Sequence, residues 1–281
     1  MTKRKRNVLV AVAGDTHAGS TVALCPPEGV LFDDSGTYMP SKPQVWMFEG
    51  WERYWAEVKQ IRKEHNAKLV VALNGDLTEG RHHGLGQLIS PEPEVQGRVA
   101  RRVLGVPKAL RPSAVYVIRG TETHTGPAGS EEEALAEWLG CAKDPDTRKR
   151  STWHRRLEVH GVRFDFQHHP GTHGKLPWTQ PQAVQRLAFL IWTEHQLAGV
   201  PHPHLAFRAH RHLAGDSFGA YPTRAIITPS WKLKDAFAHK VASESYASYG
   251  GSMVLVAPDG EWEVRHHHFA PDPPRLIQET P

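Results

Sequence analysis

Aspartate and histidine recur along this chain in five short clusters that can supply oxygen or imidazole lone pairs. They are Gly14-Asp15-Thr16-His17, Gly75-Asp76, Gly120-Thr121-Glu122-Thr123-His124, His168-His169 and His210-Arg211-His212. Carboxylates mixed with imidazoles suit manganese, iron, zinc or nickel better than calcium. One carboxylate set between two cations, as Asp76 could be, bridges them at roughly 3.5–4 Å; such a pair can hold a phosphate oxygen and generate a hydroxide nucleophile at neutral pH. No serine or cysteine motif points to a covalent phosphoenzyme. Taken singly, each cluster has a bland reading: Asn74-Gly75-Asp76 can be a hairpin turn, and a His-x-His pair is structural more often than not. Their common position, each at an expected strand end and most of them just after a run of apolar residues, sets them apart.

Groups so far apart in sequence can meet only if parallel strands deliver them to one edge. Residues 7–13 form a continuous apolar run ending at Gly14, as expected of a buried parallel strand. Further strands are expected at 68–73 and 114–118, with helices at 44–65, 93–110 and 131–139 between and after them. This alternation marks a parallel α/β half. The helix at 44–65 carries Trp46, Trp51, Tyr54, Trp55, Val58 and Ile61 as a core-facing stripe. The acidic first turn of the helix at 131–139 suits the helix dipole. The second half reads differently: a hairpin of 153–159 and 162–167, a helix at 180–197, then strands near 204–209, 223–228, 252–257 and 262–268. His210 and His212, taken as extended, would point to the same side. His266, His267 and His268 fall on the last strand and are expected to be structural. Residues 20–43, rich in proline, glycine and aspartate, are expected to form a long loop insertion, and the tail from about 270 an irregular end. No linker divides the chain, so one domain over 1–281 is expected.

Composition narrows the class. The 281 residues are 39% hydrophobic and 23% charged, as in soluble globular proteins. A net charge of +4 permits polyanionic partners without demanding them. Two cysteines, Cys25 and Cys141, argue against a disulfide framework and for a reducing, cytoplasmic setting. No stretch of about 20 apolar residues is present, so no membrane span is expected. Lys3 to Arg6 followed by Val8 to Ala13 imitates a signal peptide, but the apolar run is short and leads directly into Asp15 and His17.

The order Asp-x-His, Gly-Asp, a glycine-led third motif, His and His-x-His resembles the calcineurin-like metallophosphoesterase superfamily, over about residues 8–213. The resemblance implies an α/β fold of two mixed β-sheets packed as a sandwich and flanked by helices, a four-layer αββα arrangement. It implies two divalent metal ions, manganese first, with iron, zinc, nickel or magnesium as alternatives. Carried over, Asp15, His17 and His212 hold the first metal, Asp76 bridges, and His168 and His210 hold the second. His168 is preferred to His169, which then approaches substrate or supports a ligand. The implied activity is phosphate-ester hydrolysis by a metal-bound hydroxide, with His124 protonating the leaving group.

The third motif departs from the family, which has Gly-Asn-His where this chain has Gly120-Thr121-Glu122-Thr123-His124. The family's asparagine ligand is missing, leaving Glu122 or Thr121 as replacement. Ala209 stands where the fifth motif usually has glycine. A metallo-β-lactamase centre is excluded, because His210-x-His212 runs on into Leu213-Ala214-Gly215.

Expected partners are a phosphate-ester substrate, with nucleic acid favoured, and no membrane. Two basic clusters, Arg98/Arg101/Arg102/Lys108/Arg111 and Arg148/Lys149/Arg150/Arg155/Arg156, favour a polyanion. Thr121, Arg119, His83 and His169 are the candidate substrate-binding groups. A phosphodiesterase of nuclease type is therefore expected, with a phosphomonoesterase or a catalytically weak binding module as alternatives.

Overall fold

The computed structural model describes residues 5–81, 87–171, 179–241 and 247–270. The first half runs β1 (Val8–Ala13), a small ribbon of β2 (Val30–Leu31) and β3 (Thr37–Tyr38), α1 (Lys42–Glu64) and β4 (Lys68–Asn74). It continues with α2 (Pro93–Ala109), β5 (Ala114–Ile118), the single turn α3 (Glu122–Thr125) and α4 (Ser130–Leu139). The second half begins with β6 (Ser151–Thr152), β7 (His154–Val159), β8 (Val162–Gln167), α5 (Gln180–Leu197) and β9 (Leu205–Arg208). It ends with β10 (Gly215–Asp216), β11 (Arg224–Ile227), α6 (Ala236–Val241), β12 (Tyr249–Val256) and β13 (Trp262–Phe269).

Two mixed sheets result, ordered β13-β12-β1-β4-β5-β6 and β10-β11-β9-β8-β7. β1, β4 and β5 are mutually parallel, as are β8 and β9. The period-2 alternation of strands explains the layering. From β1, Val8, Val10 and Val12 enter a core shared with Phe164, Phe166, Leu205, Phe207 and Ile226 of the second sheet. The alternate residues Leu9, Ala11 and Ala13 face the opposite way, onto Trp51, Tyr54, Trp55 and Val58 of α1 and Val99 and Val103 of α2. On the far side of the second sheet, Val184, Leu187 and Ala188 of α5 cover Ala225 and Ile227. Helix, sheet, sheet, helix is thus the order of layers, the architecture expected from the motifs.

The aromatic stripe on α1 is core. Trp51 Nε1 donates to Val103 O at 3.0 Å, and the Tyr54 hydroxyl lies within reach of Val12 O and Ser252 O. The segment 20–43 is less irregular than expected, because β2 and β3 pair within it. α1 also starts earlier than the apolar periodicity predicts. Ser41 and Gln44 form a reciprocal capping box, which satisfies donors at the helix start. Among the described residues, no helix is long and apolar enough to cross a membrane.

Candidate metal centre

All five clusters lie at the same edge of the sandwich, because five strands end there. Asp15 follows β1, Asp76 follows β4, Thr121 follows β5, His168 follows β8 and His210 follows β9. Beyond the strand ends the loops stay zipped together: Asp15 N donates to Gly75 O, His17 N to Asp76 O and Ala18 N to Leu77 O, at 2.8–3.1 Å. The sheets are joined across the sandwich as well. Asn74 Nδ2 at the end of β4 donates to Gln167 O of β8 at 3.2 Å, and within the second sheet Ala209 N donates to His168 O at 2.8 Å.

Two glycines permit this crowding. A Cβ on Gly75, at φ +85°, would lie 2.5 Å from His168 Nδ1 and 2.7 Å from Gly120 Cα. One on Gly120 would collide with the Asp76 carboxylate and backbone nitrogen. Five of the seven residues expected to hold metal adopt left-handed backbone: Asp15 (φ 50°), His17 (43°), Asp76 (51°), His210 (71°) and His212 (55°). Such conformations cost about 1–3 kcal/mol each in non-glycine residues and persist where the surroundings enforce them. Here the zipped loops do so.

The groups separate into two adjoining sets. Asp15, His17 and His212 place ligand atoms within 4.8 Å of one another, and so do Asp15, Asp76 and His168. His17 Nε2 stands 3.1 Å from His212 Nε2, and His212 Nε2 stands 3.5 Å from Asp15 Oδ1. On the other side, Asp76 Oδ2 is 3.0 Å from His168 Nε2 and 3.9 Å from His210 Nδ1. The same oxygen lies 4.0 Å from His17 Nε2, which puts Asp76 between the sets. Asp15 Oδ1 is buried without a hydrogen-bond partner, and a cation would satisfy it. The residues therefore fit two divalent ions.

Neighbouring groups orient the imidazoles. His168 Nδ1 donates to Asn74 O at 2.7 Å, which leaves Nε2 as its ligand atom. His17 Nδ1 lies 2.9 Å from Glu79 Oε2, without good hydrogen-bond alignment but close enough to fix the ring. Glu79 in turn pairs with buried Lys232 at 2.8 Å, and Lys232 with Asp235. A further buried carboxylate, Glu132 of α4, accepts from Leu77 N and Gly120 N and so ties the loops after β4 and β5 together. Burial, with the Asp76 charge nearby, raises Glu132 to about 7. Sequence reading missed Glu79, Glu132 and Lys232. Glu79 had one usable signal, its place three residues after Asp76; the other two had none.

Several expectations need correction. His210 and His212 do not share one side of an extended strand, because both are left-handed. The turn splits them, sending His212 to Asp15 and His210 towards Asp76. Glu122 is exposed at the first turn of α3 and belongs to none of the ligand clusters. Helix formation turns it outward and brings His124 inward. Arg119 does not reach the centre; its guanidinium is used by Ser151 Oγ, Ala128 O and Glu133. Thr121 is inside the site, donating from N and Oγ1 to the two Asp76 oxygens at 2.6 and 3.2 Å. His169 stands beside it, with Nε2 3.3 Å from Thr121 Oγ1. His83 lies outside the described residues.

His124 is delivered by α3, which absorbs the extra residues of the third motif in one helical turn. Its ring meets His17 edge-on at 4.6 Å, and its ligand atom joins those of His17 and Asp76. Nδ1 faces the Glu79 carbonyl, so the neutral ring presents Nε2 to the centre. Burial and the neighbouring His17 lower His124 to about 4.

Charges in the cluster are strongly interdependent. Burial works against ionised Asp15 and Asp76, yet the surrounding imidazoles hold both well below the usual carboxylate range. Burial likewise disfavours charged His17 and His168, but Glu79 and Asp15 raise the first to about 9, and Asp76 and Asp15 raise the second to about 10. A cation that uses these nitrogens must displace their protons. Cation affinity should therefore rise with pH until it passes about 9 to 10, with protons released on binding below that. Calorimetry in buffers of different ionisation enthalpy measures this; a pH-independent affinity with no proton release would contradict it.

No protein-family model matches the chain, and no curated protein does. Solved structures do show a distant likeness. Vps29 of Chaetomium thermophilum aligns over 93% of this chain and 95% of its own, at 10% identity and a TM-score of 0.40. A dimetal phosphatase of Danio rerio aligns over 92% of this chain and 98% of its own, at 10% identity and a TM-score of 0.40. A 5'-nucleotidase of Candida albicans aligns over 93% of this chain but 51% of its own, at 10% identity and a TM-score of 0.43. At such values, what this centre can do has to follow from its own geometry.

Proposed function

We propose that this chain is a metal-dependent phosphoester hydrolase of the calcineurin-like metallophosphoesterase kind. The observation that carries the reading is the position of Asp76, between a first set of Asp15, His17 and His212 and a second of His168 and His210. Two divalent cations bound there would supply Lewis acidity and a nucleophile made from water. The protein groups do the rest. Asp15 and Asp76 are ionised and balance the cations' charge. Asn74 O and Glu79 fix which nitrogen of His168 and His17 faces inward. Glu132 keeps the Gly120 and Leu77 loops at a constant separation.

His124 holds its Nδ1 against Glu79 O, and a proton taken up at Nε2 is the one it can pass to the departing oxygen. His124→Ala should then lower kcat for an alkyl phosphate ester by about 10²-fold. The loss should be clearly smaller for a nitrophenyl ester, whose leaving group needs little protonation. Equal losses for both esters would remove His124 from that role.

Within this class we favour a phosphodiester of nucleic acid as substrate. Half-exposed Arg211, between His210 and His212, and the net charge of +4 support an extended anionic ligand. The arginines of the two basic clusters weigh the other way and favour, as second reading, a small phosphomonoester. Arg98 pairs with Asp33 at 2.9 Å, Arg102 with Glu28, and Arg155 with Asp144 at 3.0 Å, so much of the basic clusters is neutralised locally. Manganese-dependent hydrolysis of a model diester and a model monoester, followed by single- and double-stranded DNA and RNA, separates these readings. No turnover with any divalent metal would leave a binding module.

A further inference from the structure

Three imidazoles, not two, converge beside Asp76. His168, His169 and His210 each offer a ring nitrogen, and these atoms lie within 4.8 Å of one another, the same closeness that unites Asp15, His17 and His212. The ring centroids of His168 and His169 are 4.9 Å apart, and those of His169 and His210 are 4.6 Å apart. Thr121 Oγ1 marks the point they share, standing 3.1 Å from His210 Nδ1 and 3.3 Å from His169 Nε2.

Thr121 is poorly suited to hold a cation there. Its hydroxyl is neutral and already donates to Asp76 Oδ2, and its backbone nitrogen donates to Asp76 Oδ1. Glu122, the next residue of the same loop, is turned to solvent. His169 is the group that remains close, on the exposed side of the set, with its nitrogen facing the space that His210 faces.

We propose that His169 is a ligand of the second cation, which is then held by three imidazoles and the shared Asp76 carboxylate. This rests on the dinuclear reading above and adds a ligand to it. A set so rich in nitrogen favours zinc, iron or nickel over magnesium.

The test is metal binding by the full chain, titrated with Zn²⁺ and with Mn²⁺ by calorimetry, alongside the visible absorption of bound Co²⁺. The wild-type chain should take two equivalents. His169→Ala should weaken one of them by at least about 10-fold and change its Co²⁺ spectrum, while the other keeps its affinity. His169→Gln should behave similarly. Adding Thr121→Asn to His169→Ala should restore much of the lost affinity, because an amide oxygen from position 121 can reach the shared point. Two equivalents bound by His169→Ala with unchanged affinity and spectrum would overturn the proposal, even if hydrolysis fell, and would place His169 on the substrate instead. Fewer than two equivalents in the wild-type chain would overturn the dinuclear reading itself, a result obtained before any variant is made.

Discussion

Replacing Asp76 with asparagine should lower phosphoester hydrolysis by about 10³-fold or more, since charge stabilisation at the reacting centre depends on both cations at once. The carboxylate serves both sets, standing 3.0 Å from His168 Nε2 and 4.0 Å from His17 Nε2. An amide of the same shape keeps one oxygen for the Thr121 backbone donor, which lies 2.6 Å from Asp76 Oδ1. The fold should therefore survive while the bridging charge is lost. The bound metal should fall from two equivalents to one or fewer. Rates with saturating Mn²⁺, measured beside the metal content, decide the matter. Activity within 10-fold of wild type (about 1.4 kcal/mol) would mean that Asp76 is not the bridge.

The second large effect is on stability and lies away from the metals. Asp165 of β8 and Arg208 of β9 are 2% and 4% exposed and form an ion pair at 2.8 Å in the layer beneath α5. Burial alone would raise Asp165, but the hydrogen bond from His154 and the charge of Arg208 outweigh it and hold the carboxyl at about 2. Asp165→Asn would leave the buried guanidinium without a counter-charge, at a cost of about 3–5 kcal/mol. For a chain of this size that is a fall in Tm on the order of 10 °C. Because the folded pKa is depressed, the stabilisation is present above the unfolded carboxyl's pKa of about 3.9 and is lost as pH falls through about 2. The variant should therefore lose the acid-dependent part of the melting curve in that window. Replacing both partners with apolar residues should recover much of the stability, since the pair's desolvation cost disappears with it. A Tm for Asp165→Asn within about 2 °C of wild type would show the pair to be energetically idle. These two strands lead into the loops that carry His168 and His210, so the pair also steadies the base of the second set.

Sequence determined the skeleton of this protein because its strand signals are local. The apolar run Val8–Ala13 is buried on both faces, so hydrophobicity marks it wherever the chain goes. The same holds for β4 and β9, and the residues following such runs must emerge at a strand end. That is why Asp15, Asp76, His210 and His212 could be named together, while His168 follows β8, where Val162, Phe164 and Phe166 alternate with polar residues. The family resemblance implied how they divide, and the tertiary structure supplied the physical reason. His210 and His212 diverge because each takes a left-handed turn, which an expected strand end does not reveal. Glu122 lost its place and His124 kept one because Glu122–Thr125 closes into a helical turn, too short for any periodicity to announce. Glu132 and Lys232 act through burial and through partners as far as 153 positions away, so no spacing in the chain could single them out, and Glu79 offered only its place three residues after Asp76. Local patterns fix which residues reach the edge of a sheet; long-range packing fixes which atom of each one faces the metals.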